Sequence, residues 1–292
     1  MLLFFMLVMV FIFVVFVMQG VAFITLCERH CLGGSQCRIG PNKVSYMGVF
    51  QAVFDGIKLM KKEALLGWKV SSFYFILVPV LAFMISNIYW FVLPFFYSFF
   101  TFEYSIVFMM CLVGVFVYCL LFSGIVSKSK YGMLGGLRSS SQSVSYEVVF
   151  SIFLVSLMFE VSCYSFSFAF NFYTLIFVFL YLFLVLAELN RAPFDFSEGE
   201  SELVSGFNVE YSSVPFVLLF LSEYGSLLFF SVLFSVLFFS FSMLAIFLFF
   251  FLVIFVRSSF PRFRYDKMMG FFWFCLMPLV LFFLVFSVFY WL

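Results

Sequence analysis

The side chains able to do chemistry in this 292-residue chain are mostly carboxylates, and half of them fall in one stretch. Between Ala187 and Tyr224 lie Glu188, Asp195, Glu198, Glu200, Glu202, Glu210 and Glu223, seven of the 14 acids, against a single base, Arg191. The stretch is formally −6 in a chain whose total is +1. Acids beside apolar spans are costly to place and mark a functional site by default. Ser197 and Glu200 have the spacing of a capping box. If helix follows, Glu198 and Glu202 share one face at i, i+4, with Asp195 three residues before Glu198. Like charges that close repel, and like charge and desolvation both raise a carboxyl pKa. Such a set either holds and passes protons or forms a solvated acidic loop that docks a basic partner, and the residues leave both readings open.

Outside this stretch the chemistry is sparse. Glu147, in Ser145-Tyr-Glu147, is either a carboxylate favourably placed at a helix N-terminus or a partly buried acid facing a bundle. His30 is the only histidine, and the seven cysteines are scattered without a C-x-x-C pair. Cys27, Cys31 and Cys37 match no zinc or iron–sulfur spacing. Gly135-Gly-Leu-Arg138 follows no strand and forms no G-x-G-x-x-G, which argues against nucleotide binding. No metal-ligand set and no catalytic nucleophile–base arrangement is assigned. The chain is not expected to run redox chemistry alone. What it offers is apolar surface with acids and bases at membrane depth, which suits a lipophilic ligand, proton movement, or both.

The elements that carry these residues follow from composition. The chain is 66% hydrophobic and 10% charged, contains 55 Phe, and has a mean hydropathy of +1.23. Apolar runs of about 20 residues recur, each long enough to cross a hydrocarbon core of about 30 Å. Helices satisfy their own backbone groups there, and the runs are continuous rather than alternating as barrel strands would be. The expectation is an all-α polytopic bundle forming a single membrane domain over 1–292. Its eight spans run roughly over 3–26, 71–93, 104–126, 144–163, 167–187, 212–236, 241–256 and 271–291. The first run reads as a retained span, without a signal or transit peptide. All fifteen Lys and Arg fall within 29–69, 128–138, 191–210 and 257–267, which are alternate loops. Under the positive-inside rule these share the inner side, and both termini lie opposite. The run 214–256 has both flanks on that side, so it must cross twice, turning near Phe239-Ser-Phe-Ser242.

Two inner loops have further pattern. From Tyr46 to Glu63 a helical period puts Val49, Phe50, Val53, Phe54, Ile57 and Met60 on one face, with Gln51, Asp55, Lys58 and Lys62 on the other. This reads as an interfacial amphipathic helix in the first inner loop, acting as a surface anchor or as a lid over a cavity. In the last inner loop Arg262 and Arg264 alternate with Phe263 and Tyr265 before Asp266. That turn either pairs with the acids of the third loop, binds lipid headgroups, or holds a partner protein.

The stretches Glu28-Arg29, Gln36-x-Arg38-x-Gly40-Pro41-Asn42, Asp55-x-x-Lys58, Ser145-Tyr-Glu147, Asn190-Arg-Ala-Pro-Phe-Asp195, Glu198 to Tyr211 and Pro261-Arg-Phe-Arg-Tyr-Asp266 occur in this order over nearly the whole chain. Together they resemble the chain-1 membrane-subunit family of mitochondrial respiratory complex I, the NADH:ubiquinone oxidoreductase. The sequence departs from the family pattern at Lys267, Phe274, His30-Cys31, Gly34 and Ile125-Val126. The resemblance implies eight spans in the mitochondrial inner membrane, with the charged loops facing the matrix. It implies a subunit that forms the membrane part of a ubiquinone chamber, with FMN and iron–sulfur clusters held only by other subunits. Glu28, Arg29, Arg38, Asp55 and Phe220 would then belong to the chamber. Glu147, Glu188, Asp195, Glu198, Glu200, Glu202, Glu210 and Glu223 would form the proton relay that couples quinone reduction to pumping. Arg191, Arg262, Arg264 and Asp266 would serve structure or interfaces. The implied partners are the soluble quinone-site subunits, neighbouring small membrane subunits and lipids, with no nucleic acid. Two other readings stand beside this one. One is an independent ion or proton transporter, although Pro79, Pro94, Pro215 and Pro278 show no pairing between halves. The other is a membrane anchor for a hydrogenase-like complex.

Overall fold

Among the described residues (2–64, 71–94, 102–161, 163–166, 174–195, 206–208 and 210–291 of a computed structural model) every regular element is helical. The helices are α1 (Leu2–Ser35), α2 (Gln51–Lys61), α3 (Ser72–Ile88), α4 (Ser105–Val126), α5 (Lys130–Val161), α6 (Thr174–Glu188), α7 (Ser213–Phe238), α8 (Met243–Ser259) and α9 (Tyr265–Phe271). A π-helical turn, Phe272–Leu276, joins α9 to α10 (Met277–Trp291). Six segments are long and apolar enough to cross a membrane: Val8–Ser35, Ser72–Val92, Ser105–Val126, Lys130–Glu160, Ser213–Phe238 and Tyr265–Phe289. Two apolar helices, Phe177–Glu188 and Met243–Ser259, are shorter.

α7 is the central post. It packs against α1, α2, α3, α6 and α8, while α5 packs against α4, α6 and α10. A helix apolar on all sides belongs inside such a bundle, and Phe229, Phe230, Leu233 and Phe238 of α7 are fully buried. Tyr181 on α6 donates its hydroxyl to the Phe230 carbonyl at 2.8 Å, so a buried phenol meets a backbone acceptor. Where α7 turns into α8, Ser240 and Phe241 adopt left-handed φ of 49° and 62°, and the N–H groups of Phe239 and Phe241 both donate to the Ser235 carbonyl at 3.0 Å. The turn expected at 239–242 is therefore a tight reversal.

Side-chain contacts sort the connections into two ends. At one end Glu28 meets Arg191 and Arg257, Asp195 meets Arg262, Arg29 meets Asp55, and Ser141 meets Tyr265. At the other, the Ile106 N–H donates to the Tyr164 carbonyl at 3.2 Å and the Phe166 N–H to the Ser105 hydroxyl at 3.0 Å. The described parts of the four basic segments thus gather at one end of the bundle, the basic end.

Several expected boundaries need correction. The segment 127–146, expected as a loop before a span starting at 144, is mostly helix, because α5 begins at Lys130. Ser129 caps it, accepting the Gly132 N–H at 3.1 Å. The hydroxyls of Ser139, Ser140, Ser141 and Ser145 donate to carbonyls three residues back, so much of a polar stretch is satisfied within its own helix. α1 runs past the expected end at 26 to Ser35, and the last span starts at Tyr265 rather than 271. The interfacial helix expected over 46–63 is a short 3-10 turn, Tyr46–Gly48, followed by α2 over Gln51–Lys61. On α2, Ala52, Asp55, Gly56 and Leu59 are half-buried, while Phe50, Val53, Phe54, Ile57 and Met60 stay exposed. This half-buried side packs on α1 and α7, and most of the apolar face is left off the protein, as an interfacial helix requires.

Candidate functional site

Continuation of α1 to Ser35 carries a carboxylate into the interior. Glu28 is buried, with 4% of its side chain exposed. Its Oε1 accepts Nη1 of Arg191 at 2.8 Å and Nη1 of Arg257, and its Oε2 accepts the Tyr224 hydroxyl at 2.9 Å. The Arg191 guanidinium also lies 4.3 Å from the Tyr224 ring centroid, a cation–π contact. Four separate elements converge here: α1, the turn after α6, α7 and α8. Two guanidiniums on one carboxylate leave the cluster formally +1.

The excess charge faces acids. A polar cavity of about 80 Å³ adjoins the cluster, lined by Glu188, Asp195 and Glu223 together with Arg191, Tyr224 and Arg257. Phe220 closes one side, its ring 4.4 Å from that of Tyr224. The cavity has room for several waters, which polar cavities normally hold. Asp195 is pinned by Arg262 at 3.2 Å. The Phe263 N–H donates to the Pro193 carbonyl at 3.0 Å, and the Phe263 ring stacks on Phe194 at 5.7 Å. Gln142 of α5 donates to the Phe194 carbonyl at 2.9 Å. Of the three partners expected for the last inner loop, the geometry therefore supplies the acidic loop itself.

A second acid site lies deeper. Glu147 on α5 is half-buried, with Oε1 buried and lacking a hydrogen-bond partner, and Oε2 of Glu188 is in the same condition. Glu147 and Glu188 are electrostatic neighbours. Tyr89, buried against Phe229, lies within electrostatic reach of both. Glu147 also borders two openings on the α4–α5 side, of about 240 and 680 Å³. A buried oxygen left unpaired costs about 1–3 kcal/mol, so two of them along one acidic track point to bound water or a proton on the carboxyl.

The other sequence-derived residues separate from this centre. Arg29 pairs with Asp55 at 2.8 Å, half-exposed, between α1 and α2. Arg38 is exposed, its Nε donating to Gln36 at 2.7 Å, and the His30 Nε2 is 2.9 Å from the Met47 carbonyl. Arg264 and Asp266 pair with each other on the surface at 3.1 Å. Glu210 is exposed on the turn before α7, apart from the residues lining the cavity. Glu198, Glu200 and Glu202, with the capping box expected at Ser197, lie outside the described residues. The sequence reading did not single out Tyr224, Arg257 or Tyr89. For Arg257 a signal existed. An acid one turn beyond the first apolar run needs a counter-ion, and loop parity already put Glu28 and Arg257 on the same side.

These features define a polytopic membrane helix bundle with a buried ion cluster and an acid-lined polar cavity at its basic end. The family profile described as NADH dehydrogenase matches residues 8–288. NADH-ubiquinone oxidoreductase chain 1 of Aedes aegypti is 42% identical over 289 residues, covering 94% of this chain and 92% of that protein. The chain 1 protein of Artemia franciscana is 41% identical over 291 residues, 97% of each chain, and that of Notamacropus eugenii is 37% identical over 290 residues, 92% and 91%. The chain belongs to this NADH dehydrogenase family.

Proposed function

We propose that the chain is the membrane subunit of a proton-translocating NADH:ubiquinone oxidoreductase of the mitochondrial inner membrane, that it forms the membrane part of the quinone chamber, and that its acids link quinone reduction to proton movement. Family membership supports the first part. The basic end faces the matrix in this reading and receives the soluble subunits, which hold the FMN and the iron–sulfur clusters. Small membrane subunits and lipids surround the bundle. Glu28, Arg29, Arg38, Asp55 and Phe220 border the chamber. The mutual packing of α1, α2 and α7 supports this, with the apolar face of α2 turned toward lipid. A long isoprenoid tail needs such apolar walls with few polar groups.

The observation that carries the coupling role is the acid-lined cavity beside the Glu28 cluster. Asp195, Glu223 and Glu188 share it, and Glu188 is the electrostatic neighbour of Glu147. Protons move between such carboxylates through intervening water, and charge arriving in the chamber is felt along a track of low dielectric. Glu198, Glu200, Glu202 and Glu210 extend the relay in this proposal, from the acidic loop. The test is Glu188→Gln in the assembled complex. The amide keeps the shape and removes the titratable proton. Quinone-linked NADH oxidation and pumping should fall by a factor of about 10²–10⁴ if the proton passes through this group. Oxidation of NADH by an artificial acceptor at the flavin, and assembly, should be unchanged. Full quinone-linked pumping would refute the relay, and lost assembly would favour the docking role.

A further inference from the structure

A second, separate cavity lies away from the ion cluster. It is an open groove of about 640 Å³ along α8, walled by Leu248, Leu252 and Phe255 of α8 and Leu182 of α6, and it ends between Ser258 and Ser35 of α1. Leu248 and Phe255 are exposed within it. From Leu244 to Ser258 the groove follows α8 for roughly 21 Å at 1.5 Å per residue. That exceeds one leaflet of a hydrocarbon core about 30 Å thick, so an extended hydrocarbon chain fits along it from one mouth.

The two mouths differ in charge. At the basic end lie the hydroxyls of Ser258 and Ser35, which donate to the Phe255 and Leu32 carbonyls at 2.9 Å and would turn from them to meet an acceptor in the groove. Arg257 precedes Ser258 and keeps 42% of its side chain exposed although one nitrogen is on Glu28. Arg38 follows Ser35 by three residues, across a turn closed by its own N–H on the Gly33 carbonyl, and is exposed. A guanidinium has five donors, so each arginine has N–H groups beyond those bonded to Glu28 and Gln36. The other mouth lies at Ser242, and no Lys or Arg occurs between Arg191 and Arg257. A neutral tail would use the walls and ignore this asymmetry. A phosphate diester on the same tail uses both.

We propose that the α8 groove is a binding site for an anionic phospholipid, its acyl chain along Leu248 and Leu252 and its phosphate at Ser35, Ser258, Arg38 and Arg257. The groove is distinct from the acid-lined cavity, which it neighbours through Arg257 alone, and the proposal does not depend on the chain's role in proton movement.

The test uses the full chain in phosphatidylcholine vesicles carrying a trace of phospholipid with a diazirine on the acyl chain, either phosphatidylglycerol or phosphatidylcholine. Crosslinked peptides are mapped, and the mapping is repeated in membranes holding the assembled complex. The expected result is label concentrated on α6 and α8, about tenfold stronger from the phosphatidylglycerol probe. Leu248→Trp should cut that label about tenfold by filling the groove, and Ser35→Glu should abolish the headgroup preference, while label on exposed Phe73 and Tyr74 of α3 is unchanged. Where Leu248→Trp does not reach the membrane, Leu252→Trp takes its place. Four results would overturn the proposal. They are label spread evenly over all exposed faces, equal label from both headgroups, full competition by a long-tailed quinone, and no label on α8 in the assembled complex, which would mean that a partner helix occupies the groove.

Discussion

Replacing Glu28 by alanine removes one acceptor from three donors at once. The cost can be worked from the geometry. Deleting one partner of a buried pair costs about 3–5 kcal/mol, because the other charge is left buried and unpaired. Arg191 bears this fully, with 13% of its side chain exposed. Arg257, 42% exposed, can rehydrate, so its share is discounted to that of a surface pair, about 1 kcal/mol or less. Tyr224 loses an acceptor, at about 1 kcal/mol. Allowing for non-additivity, Glu28→Ala should destabilise the chain by about 3–4 kcal/mol. At roughly 2–4 °C per kcal/mol, the thermal midpoint of the detergent-solubilised chain should drop by roughly 6–16 °C. Glu28→Gln retains an acceptor and should cost about half as much. The double variant Glu28→Met/Arg191→Met should recover most of the loss, since apolar replacement of a whole buried pair is often neutral. A Glu28→Ala midpoint within the range of surface substitutions, about 0.5 kcal/mol, would refute the reasoning. So would strict additivity of Glu28→Met and Arg191→Met.

The packing and the loop contacts make further tests. A Cβ on Gly124 would meet the Gly136 Cα and the Gly132 carbonyl oxygen at 2.8 Å, so Gly124→Val must push α4 and α5 apart. It should cost at least about 1–3 kcal/mol of stability, read from the thermal midpoint, whereas Gly56→Ala, with open space around its Cβ, should cost little. Arg262→Ala should destabilise the 191–195 turn more than Phe263→Ala. It leaves the Asp195 carboxylate, 13% exposed, without its guanidinium, at up to about 3–5 kcal/mol, against about 0.5–1.5 kcal/mol for a stacked ring that is itself exposed, and faster hydrogen exchange in 191–195 would report the difference. Phe54→Glu should lift α2 from a bilayer surface, seen as faster exchange over 51–61 in vesicles, with no such change for Lys58→Gln on the polar face.

Much of the architecture was legible because the membrane makes it so. Long apolar runs and the distribution of 15 bases were enough to separate the two ends of the bundle, and parity alone resolved the reversal at Ser240 and Phe241. The misplaced boundaries share one cause. Hydropathy ends a helix where polar residues start, but Ser139, Ser140, Ser141 and Ser145 bond to their own backbone and Glu28 is neutralised across space. Neither compensation shows in a window of sequence. At the site, the acids stood out by their number. Their order along a cavity did not, because it is set by where α6 ends against α7. Tyr224 was hidden for the same reason, 196 residues from Glu28 in the chain, whereas Arg257, 229 residues away, was within reach of loop parity.

The end of α1 carries two contacts of very different strength on neighbouring residues. Glu28 points into the bundle and Arg29, about 100° further round the helix, points to α2. The first contact is buried and ties α1 to the turn after α6, to α7 and to α8. The second, Arg29–Asp55, has 49% and 42% of its side chains exposed and is worth about 1 kcal/mol or less. α2 adds Ala52, Gly56 and a single large apolar residue, Leu59, on its half-buried side, and leaves Val53, Phe54, Ile57 and Met60 outward. Any opening at this end therefore separates α2 from α1 long before it separates α1 from the bundle, since local opening follows the weakest set of contacts. That ranking bears on the choice between anchor and lid. An anchor is held by the membrane alone, whereas a lid must also leave its seat at low cost while the wall beneath stays fixed. With Glu28 fixing the wall and a screened pair closing the seam, α2 meets the second requirement, and raising ionic strength should loosen α2 and leave the Glu28 cluster intact.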